Sequence, residues 1–146
     1  MENYKFSTLE YKRPDLETRR AKLAQWKAAV GQAESYEALR SLIFEIDHES
    51  CELFTQYSIA HIRHTLDTRD EFYETEIAYL QDTLPTLSGA EVELSEAIAS
   101  SPFRPDIEQE FGKQYFVSMD LQKKLYCEAN VPLRQQESRL TNEYQK

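Results

Sequence analysis

The stretch YEALRSLIFEIDHESCELFTQYSIAHIRH, residues 36–64, contains neither Gly nor Pro and repeats its apolar side chains with a helical period. If Leu39 is taken as the origin and each residue turns by about 100°, most apolar side chains gather on one side. Those within about 60° of this line are Leu42, Ile43, Ile46, Leu53, Phe54, Tyr57, Ala60, His61 and His64. At about 1.5 Å per residue the stretch predicts a helix roughly 40 Å long. We expect it to be the central helix of a bundle.

The N-terminal flank predicts an extended arm followed by a first helix. Residues 1–13 are polar, with a few apolar and aromatic side chains that we expect to pack onto the body. These side chains are Tyr4, Phe6, Leu9 and Tyr11. Pro14 and Asp15 suit the first helical turn, because proline loses no hydrogen bond there and an acidic side chain favours the positive helix end. Gly31 is the predicted C-cap.

Capping-box patterns predict a third and a fourth helix. The two pairs with this spacing are Thr68 with Glu71 and Ser88 with Glu91. Each places a hydroxyl three residues before a carboxylate, so that both can satisfy free backbone N–H groups. The second pair predicts a helix over residues 86–100. Pro85 either ends the third helix or kinks one longer helix, and the sequence leaves both alternatives open.

The C-terminal third repeats the helix-starting pattern at Pro105 and Asp106. The apolar stripe that follows comprises Ile107, Phe111, Tyr115, Met119 and Tyr126. Gly112 lies inside this predicted helix and weakens it by about 1 kcal/mol. A last segment, residues 133–146, follows Val131 and Pro132. Because no strand-like alternation occurs, the chain is predicted to be an all-α bundle of about five or six helices, with one long central helix, in a single domain covering residues 1–146.

The charge balance narrows the classes of partner. The 146 residues include 17 Lys or Arg and 26 Asp or Glu, which gives a net charge of −9. This balance argues against nucleic acid as a partner, because phosphate recognition depends on basic patches. It equally argues against anionic membrane surfaces. The first residues lack the apolar core of a secretory signal, so we expect a cytoplasmic protein.

The two cysteines, Cys51 and Cys127, lie far apart in the sequence and form no C-x-x-C motif. A disulfide between them is one alternative. Two ordinary buried thiols of an intracellular protein are the favoured interpretation, because reducing compartments keep cysteines unpaired.

Histidines provide the only candidates for a metal site. His61 and His64 share a helix face and could both reach one ion, but His48 lies on the opposite side. We therefore favour packed structural histidines over metal ligands. The sequence from His48 to Glu52 nearly matches the zinc motif His-Glu-x-x-His, but Glu52 replaces the second imidazole. No catalytic, cofactor-binding or metal-binding residue is assigned, and no cofactor is predicted for this chain.

The segment IRHTLDTRDEFYETE, residues 62–76, combines charged, polar and aromatic side chains in a way that helix formation alone does not require. It resembles a segment near the N-terminus of the zinc oligopeptidases of the oligoendopeptidase F type, relatives of thimet oligopeptidase. Four further segments, in the same order along the chain, are similar to that region: residues 11–16, 101–104, 110–114 and 137–144. The resemblance thus covers nearly the whole chain, and residues 62–76 are its most specific part.

This resemblance implies a non-catalytic N-terminal helical domain, or fragment, of a zinc metalloendopeptidase. In the family such helices form one wall of a channel that admits short peptides, and zinc and the catalytic groups lie in a C-terminal region. The chain alone is then expected to be inactive, with the catalytic domain and short peptides as partners. Surfaces that face the catalytic domain would be exposed, so we also expect a homodimer.

Two other interpretations stay open at this point. One is a free-standing helical interaction module descended from the same domain. The other is a small enzyme or metal protein that uses His61 and His64.

Overall fold

The computed structural model describes residues 5–144 apart from the side chain of Asn142. Within this range every regular element is a helix and no β-strand occurs, so the predicted all-α fold is confirmed. The α-helices are α1 (Leu16–Gly31), α2 (Tyr36–Leu66), α3 (Glu71–Thr83), α4 (Ser88–Ala99), α5 (Arg104–Phe111), α6 (Gln114–Leu125) and α7 (Val131–Tyr144). Short 3₁₀ turns cover Phe6–Thr8, Leu84–Leu87 and Glu128–Asn130. Over residues 5–144, no helix is long and apolar enough to cross a bilayer.

The first helix begins as predicted but ends differently. Asp15 caps α1 because its carboxylate accepts a hydrogen bond from the Thr18 N–H at 3.0 Å. Gly31, however, is the last residue of the helix and not its C-cap. The helix ends at Gln32, whose N–H still reaches the carbonyls of Ala28 and Ala29, so no left-handed glycine is needed.

Neither predicted capping box forms. At the start of α3, Asp70 takes the place predicted for Thr68 and accepts bonds from the N–H groups of Phe72 and Tyr73. Asp70 is better placed, since it directly precedes the helix and its carboxylate reaches both N–H groups. Ser88 lies inside α4 and caps nothing, because the chain enters α4 already in helical conformation from the 3₁₀ turn Leu84–Leu87. Pro85 therefore ends α3 without releasing the chain from helical geometry.

The helix predicted from Pro105 to Tyr126 is divided in two. Gly112 has φ 81° and ψ 158°, a conformation that ends α5 and turns the chain into α6. Only glycine adopts this region readily. Members of the predicted stripe still reach one core, since Ile107 of α5 is buried and Phe111, Tyr115 and Met119 pack against the core as partly buried side chains. The last helix starts at Val131, with Pro132 in its first turn, and Lys146 lies outside the described residues.

The core lies where α1 packs on α4, α2 on α3, α4 on α6, and α3 on α7. Its fully buried apolar members are Leu16, Leu23, Trp26, Val30, Leu39, Ile43, Ile59, Ala60, Ile77, Leu80, Leu87, Leu94, Ile98, Ile107 and Phe116. The long helix α2 is buried at both ends, but no side chain between Ile43 and Ile59 is fully buried. Phe54, predicted to lie on the buried stripe, is 70% exposed. The prediction failed there because different neighbours cover the two ends of α2.

The segment before α1 runs across α3. Tyr11 packs edge-on against the rings of Phe72 and Tyr73, with ring centroids 6.1 and 5.8 Å away. The Phe6–Thr8 turn precedes it. Tyr4, which was expected to contribute a further ring, lies outside the described residues. The order of the first residues of the domain thus depends on contacts with α3.

Gly112 offers a direct test of backbone strain. We expect Gly112→Ala to lower the free energy of unfolding by about 1–3 kcal/mol, because a Cβ is disfavoured at this positive φ. Gly31→Ala is the matched control: nothing lies within 4 Å of either added Cβ, but Gly31 is helical. The control should leave stability unchanged or slightly raise it. Urea unfolding followed by circular dichroism measures both, and equal stabilities of the two variants would contradict the strain.

Candidate functional site

A buried carboxylate joins the N-terminal segment to α3. Glu76 lies on the packed face of α3 beside Ile77, and it is only 3% exposed. Arg13 donates from Nε to Oε2 at 2.8 Å and to Oε1 at 3.1 Å, and its Nη2 also donates to Oε1. The Tyr11 hydroxyl donates to Oε2 at 2.7 Å. Both carboxylate oxygens are therefore fully engaged.

The electrostatics of this cluster keep Glu76 charged. Hydrogen bonds from Arg13 hold the pKa of the Glu76 carboxyl below its ordinary value, although burial opposes the shift. Burial, with the hydrogen bond to Glu76, raises the pKa of the Tyr11 phenol. At neutral pH an ionised carboxylate thus accepts from a guanidinium and a neutral phenol. A group held in this way is a structural anchor and not a free acid or base.

Arg63 makes a second connection to the same segment. Its guanidinium donates to the Leu9 carbonyl oxygen and to the Tyr73 hydroxyl. It also lies 5.5 Å from the centroid of the Tyr73 ring and 5.9 Å from that of Phe6. We call the set Tyr11, Arg13, Arg63, Tyr73 and Glu76 the arm clamp. Three of its five members come from residues 62–76, the segment singled out in the sequence.

A cleft of about 770 Å³ opens between the N-terminal segment, α1 and the middle of α2. Its wall carries side chains of both signs, among them Lys12, Lys22, Glu49 and Glu52. Lys22 and Glu49 already pair at 2.5 Å. Because the charges largely neutralise one another, the cleft is a polar contact surface without a strong preference for anions or cations.

Arg19 on the wall of this cleft is an unusual buried cation. It is 8% exposed, donates from Nη2 to Ser50 Oγ at 2.8 Å, and lies 4.8 Å from the centroid of the Trp26 ring. Its Nε and Nη1 have no hydrogen-bond partner among the residues that the structure describes. Burial lowers the pKa of Arg19, while the carboxylates of Glu91 and Glu49 oppose that shift. Burial also disfavours the charged form of Glu91 and therefore raises the pKa of its carboxyl.

The two histidines on α2 differ in burial. His64 is 4% exposed, and its Nδ1 has no partner, so it is the packed side chain that we predicted. His61 was expected to be packed too, but it is exposed and only stacks on the Tyr57 ring at 5.9 Å. The helix turns His61 away because α3 covers only one side of the C-terminal end of α2. His48 lies 3.7 Å from Glu52 on the exposed surface.

No cluster of ligands completes a metal centre within residues 5–144, Asn142 apart: three His, Cys, Asp or Glu side chains nowhere converge. Both cysteines are free thiols, but the prediction that they are buried is wrong. Cys51 lies on the open middle of α2, and Cys127 lies in the turn between α6 and α7, where no other element covers them.

Sequence reasoning did not single out Glu76 or Arg19. A signal for Glu76 was present, because it falls between Tyr73, Ile77 and Leu80 on the apolar stripe of α3. A charged residue in such a position requires a partner. The partner itself, Arg13, is 63 residues away and no local pattern indicates it.

The clamp predicts a pH-dependent contribution to stability. At pH 7 we expect Glu76→Gln to cost about 1–3 kcal/mol, because Arg13 and Tyr11 lose a buried, charged acceptor. The pKa of Glu76 is lowered by folding, so its contribution is present above the unfolded pKa of about 4.3 and is lost as pH falls through the folded pKa. Glu71→Gln, exposed on the same helix, is the control. Thermal unfolding from pH 7 to pH 3 measures the effect, and a difference between wild type and Glu76→Gln that does not shrink as the pH falls would contradict it.

The histidines give a matched pair. We expect His64→Gln to lower stability by about 1–2 kcal/mol, since it replaces a buried ring, and His61→Gln to change it by less than about 0.5 kcal/mol. Metal content, measured by plasma emission spectrometry, should be the same in both variants and in wild type. Loss of a stoichiometric metal in either variant would restore the metal-site interpretation.

Known proteins share this fold and parts of this sequence. The peptidase M3 N-terminal domain family matches residues 6–126. A structure of PZ peptidase A with inhibitor 2 is 34% identical, with a TM-score of 0.90 over 96% of this chain and 25% of that chain. A 3.1 Å structure described as an oligoendopeptidase F, from crystals grown by microfluidic seeding, gives the same four values. One described as an oligoendopeptidase F from Bacillus anthracis strain Ames is 29% identical, with a TM-score of 0.89 over 94% of this chain and 25% of that chain.

No curated protein sequence matches significantly. The chain spans about a quarter of the length of the solved structures that it matches. The resemblance predicted from residues 62–76 and the four shorter segments is confirmed by the family match and by the similarity of the folds. The chain belongs to the peptidase M3 N-terminal domain family and corresponds to the N-terminal region of an oligoendopeptidase F-type peptidase.

Proposed function

We propose that the chain is a non-catalytic N-terminal domain, covering residues 1–146, of an oligoendopeptidase F-like zinc metalloendopeptidase. In this role it forms one wall of the channel that holds short peptides. The observation that carries the proposal is the fold match at a TM-score of 0.90 over 96% of this chain but only 25% of PZ peptidase A. The zinc and the residues that activate water then belong to the other three quarters of the peptidase.

The geometry suits a wall. The helix α2 has 31 residues, which corresponds to about 46 Å at 1.5 Å per residue, and it packs against both α1 and α3. The arm clamp fixes the segment before α1 onto α3. A wall that is stiff over this length limits the width of a channel, and a channel of fixed width selects short peptides over folded proteins.

The partners follow from the same proposal: the catalytic domain of the peptidase, short peptides, and a second copy of the chain when the catalytic domain is absent. The net charge of −9 favours neither nucleic acid nor anionic membranes. Two free thiols fit a reducing compartment, so we place the protein in the cytoplasm.

A free-standing interaction module is the second candidate, and one observation favours it. The core closes within the chain itself, since Leu39, Ile77 and Leu80 have no exposed surface. A domain that buries these side chains without help is able to fold and act alone. The two candidates differ in whether the chain supports peptide hydrolysis.

Complementation distinguishes them. We expect the purified chain, with zinc added, to leave an internally quenched short peptide intact. Mixed with PZ peptidase A that lacks its matched N-terminal quarter, the chain should restore cleavage that a chelator abolishes, because the missing wall is replaced. The N-terminal quarter of PZ peptidase A is the positive control. Chelator-sensitive cleavage by the chain alone, or restoration by the control quarter but not by the chain, would contradict the proposal.

A further inference from the structure

Two helices of the C-terminal third expose regular apolar stripes. On α6 the exposed side chains are Val117, Leu121 and Leu125, spaced four residues apart. On α7 they are Leu133, Leu140 and Tyr144, spaced seven and four apart. Single exposed apolar residues are ordinary, but such spacing places each set on one helix face. The α6 set forms a continuous apolar stripe, whereas the α7 stripe is interrupted between Leu133 and Leu140, where the exposed Glu137 lies on the same face.

The stripes lie on the side of each helix that faces away from the core. On α6, the buried Phe116 and the half-buried Met119 point inward, and Leu121 lies about 140° around the helix from Phe116 at 100° per residue. On α7, Gln135 points inward, donating to the Asp82 carbonyl oxygen, and Leu140 again lies about 140° from it. Leu121 and Leu140 are 52% and 58% exposed. Nothing within residues 5–144 covers either stripe.

The two helices form one outer layer. Lys123 of α6 pairs with Glu96 of α4 at 2.8 Å, and Arg139 of α7 pairs with Asp82 of α3 at 2.9 Å. Between these pairs, the Tyr126 hydroxyl packs so closely on Gly89 that a Cβ added to Gly89 would lie 2.6 Å from it. As residue numbers rise from Lys123 to Arg139, the numbers of the residues they contact fall from Glu96 to Asp82. The segment thus runs antiparallel across α4, the 3₁₀ turn and α3, and both stripes face outward from this layer.

The charge of the layer differs from that of the rest of the chain. Residues 114–144 contain four Lys or Arg and four Asp or Glu, whereas residues 1–113 contain twelve and twenty-two. The acidic excess that keeps the body soluble is absent from the layer. Like-charge repulsion commonly prevents association with wrong partners. The outer layer lacks this repulsion beside its two apolar stripes, so its surface is able to accept a partner.

We infer that the outer face of α6 and α7 is the surface on which the remainder of an oligoendopeptidase F-type peptidase docks, through a reciprocal apolar helical face. The inference rests on the proposed function. The occupant follows from the comparisons: relatives with this fold carry three times as much chain outside the matched N-terminal region. A covalently attached partner has an effective concentration of about 1 mM or more, which a second copy in solution does not reach.

The exposed apolar side chains of α2 do not compete for this role. Phe44 and Phe54 are ten residues apart, which separates them by about 80° around the helix, and Arg40 already covers Phe44 with its guanidinium 4.7 Å from the ring centroid. Ile62 and Leu66, 42% and 77% exposed, are spaced four residues apart near the C-terminal end of α2, but all four side chains lie in the acidic part of the chain. Phe54 therefore provides a matched control for substitutions on α6 and α7.

The test measures binding of the full 146-residue chain to PZ peptidase A lacking its matched N-terminal quarter, by biolayer interferometry. The binding of that quarter itself first shows that the truncated peptidase is competent. We expect Leu121→Glu and Leu140→Glu to weaken binding by about tenfold or more, as is usual for residues at the centre of an interface, and Phe54→Glu to change it less than about twofold. Circular dichroism checks the fold, and Leu140→Glu decides if Leu121→Glu unfolds.

The possible outcomes test the docking surface and the proposed function separately. If the wild-type chain binds and all three variants bind equally well, the docking surface is wrong and the proposed function stands. If the PZ peptidase A quarter binds and the wild-type chain does not, both the docking surface and the proposed function are contradicted. If Leu121→Glu abolishes self-association in sedimentation equilibrium but leaves binding to the truncated peptidase unchanged, the surface belongs to a second copy, and the inference is overturned.

Discussion

A carboxylate removed from water must be paired, and the pairing of Glu76 with Arg13 and Tyr11 determines how the N-terminal end of the domain is built. These partners lie 63 and 65 residues earlier in the chain. Arg13 stands two residues before Asp15, the cap of α1, so the clamp also sets the position at which α1 begins. Leu16, the first residue of that helix, is then buried against the core. A polar interaction thus positions an apolar one.

The helix α1 uses two kinds of contact on its two sides. Towards α4 it presents apolar side chains such as Leu23, with one exposed ion pair between Lys27 and Glu93. Towards α2 its contacts are polar and ordered: Arg19 donates to Ser50, Lys22 to Glu49, and Trp26 to Glu45 at 3.0 Å. The three pairs follow one another as the two helices run antiparallel. Directional contacts fix the register of the long helix, while the apolar side supplies burial. This division explains why the middle of α2 borders an open cleft.

The sequence predicted the features that depend on nearby residues. The start of α1, the extent of α2 and the helical class all follow from local periodicity and from the cost of proline and glycine, and all were correct to within a few residues. Predictions failed where the deciding partner is distant. Gly112 was treated as a tolerated helical glycine because no neighbouring residue shows that the chain must turn there. His61 and His64 lie in the same predicted stripe, and only the position of α3 makes one buried and the other exposed.

The candidate site was predictable to a similar degree. The unusual composition of residues 62–76 indicated a specific role, and the structure assigns it to holding the N-terminal segment through Arg63, Tyr73 and Glu76. The partner residues Leu9 and Arg13 are invisible to any local pattern. The domain therefore has a polar, hydrogen-bonded side at α1 and α3 and an apolar, exposed side at α6 and α7. Because the core is buried without help from the apolar face of α6 and α7, the domain is able to fold first. The exposed stripes on these two helices then remain available for an interface that forms afterwards.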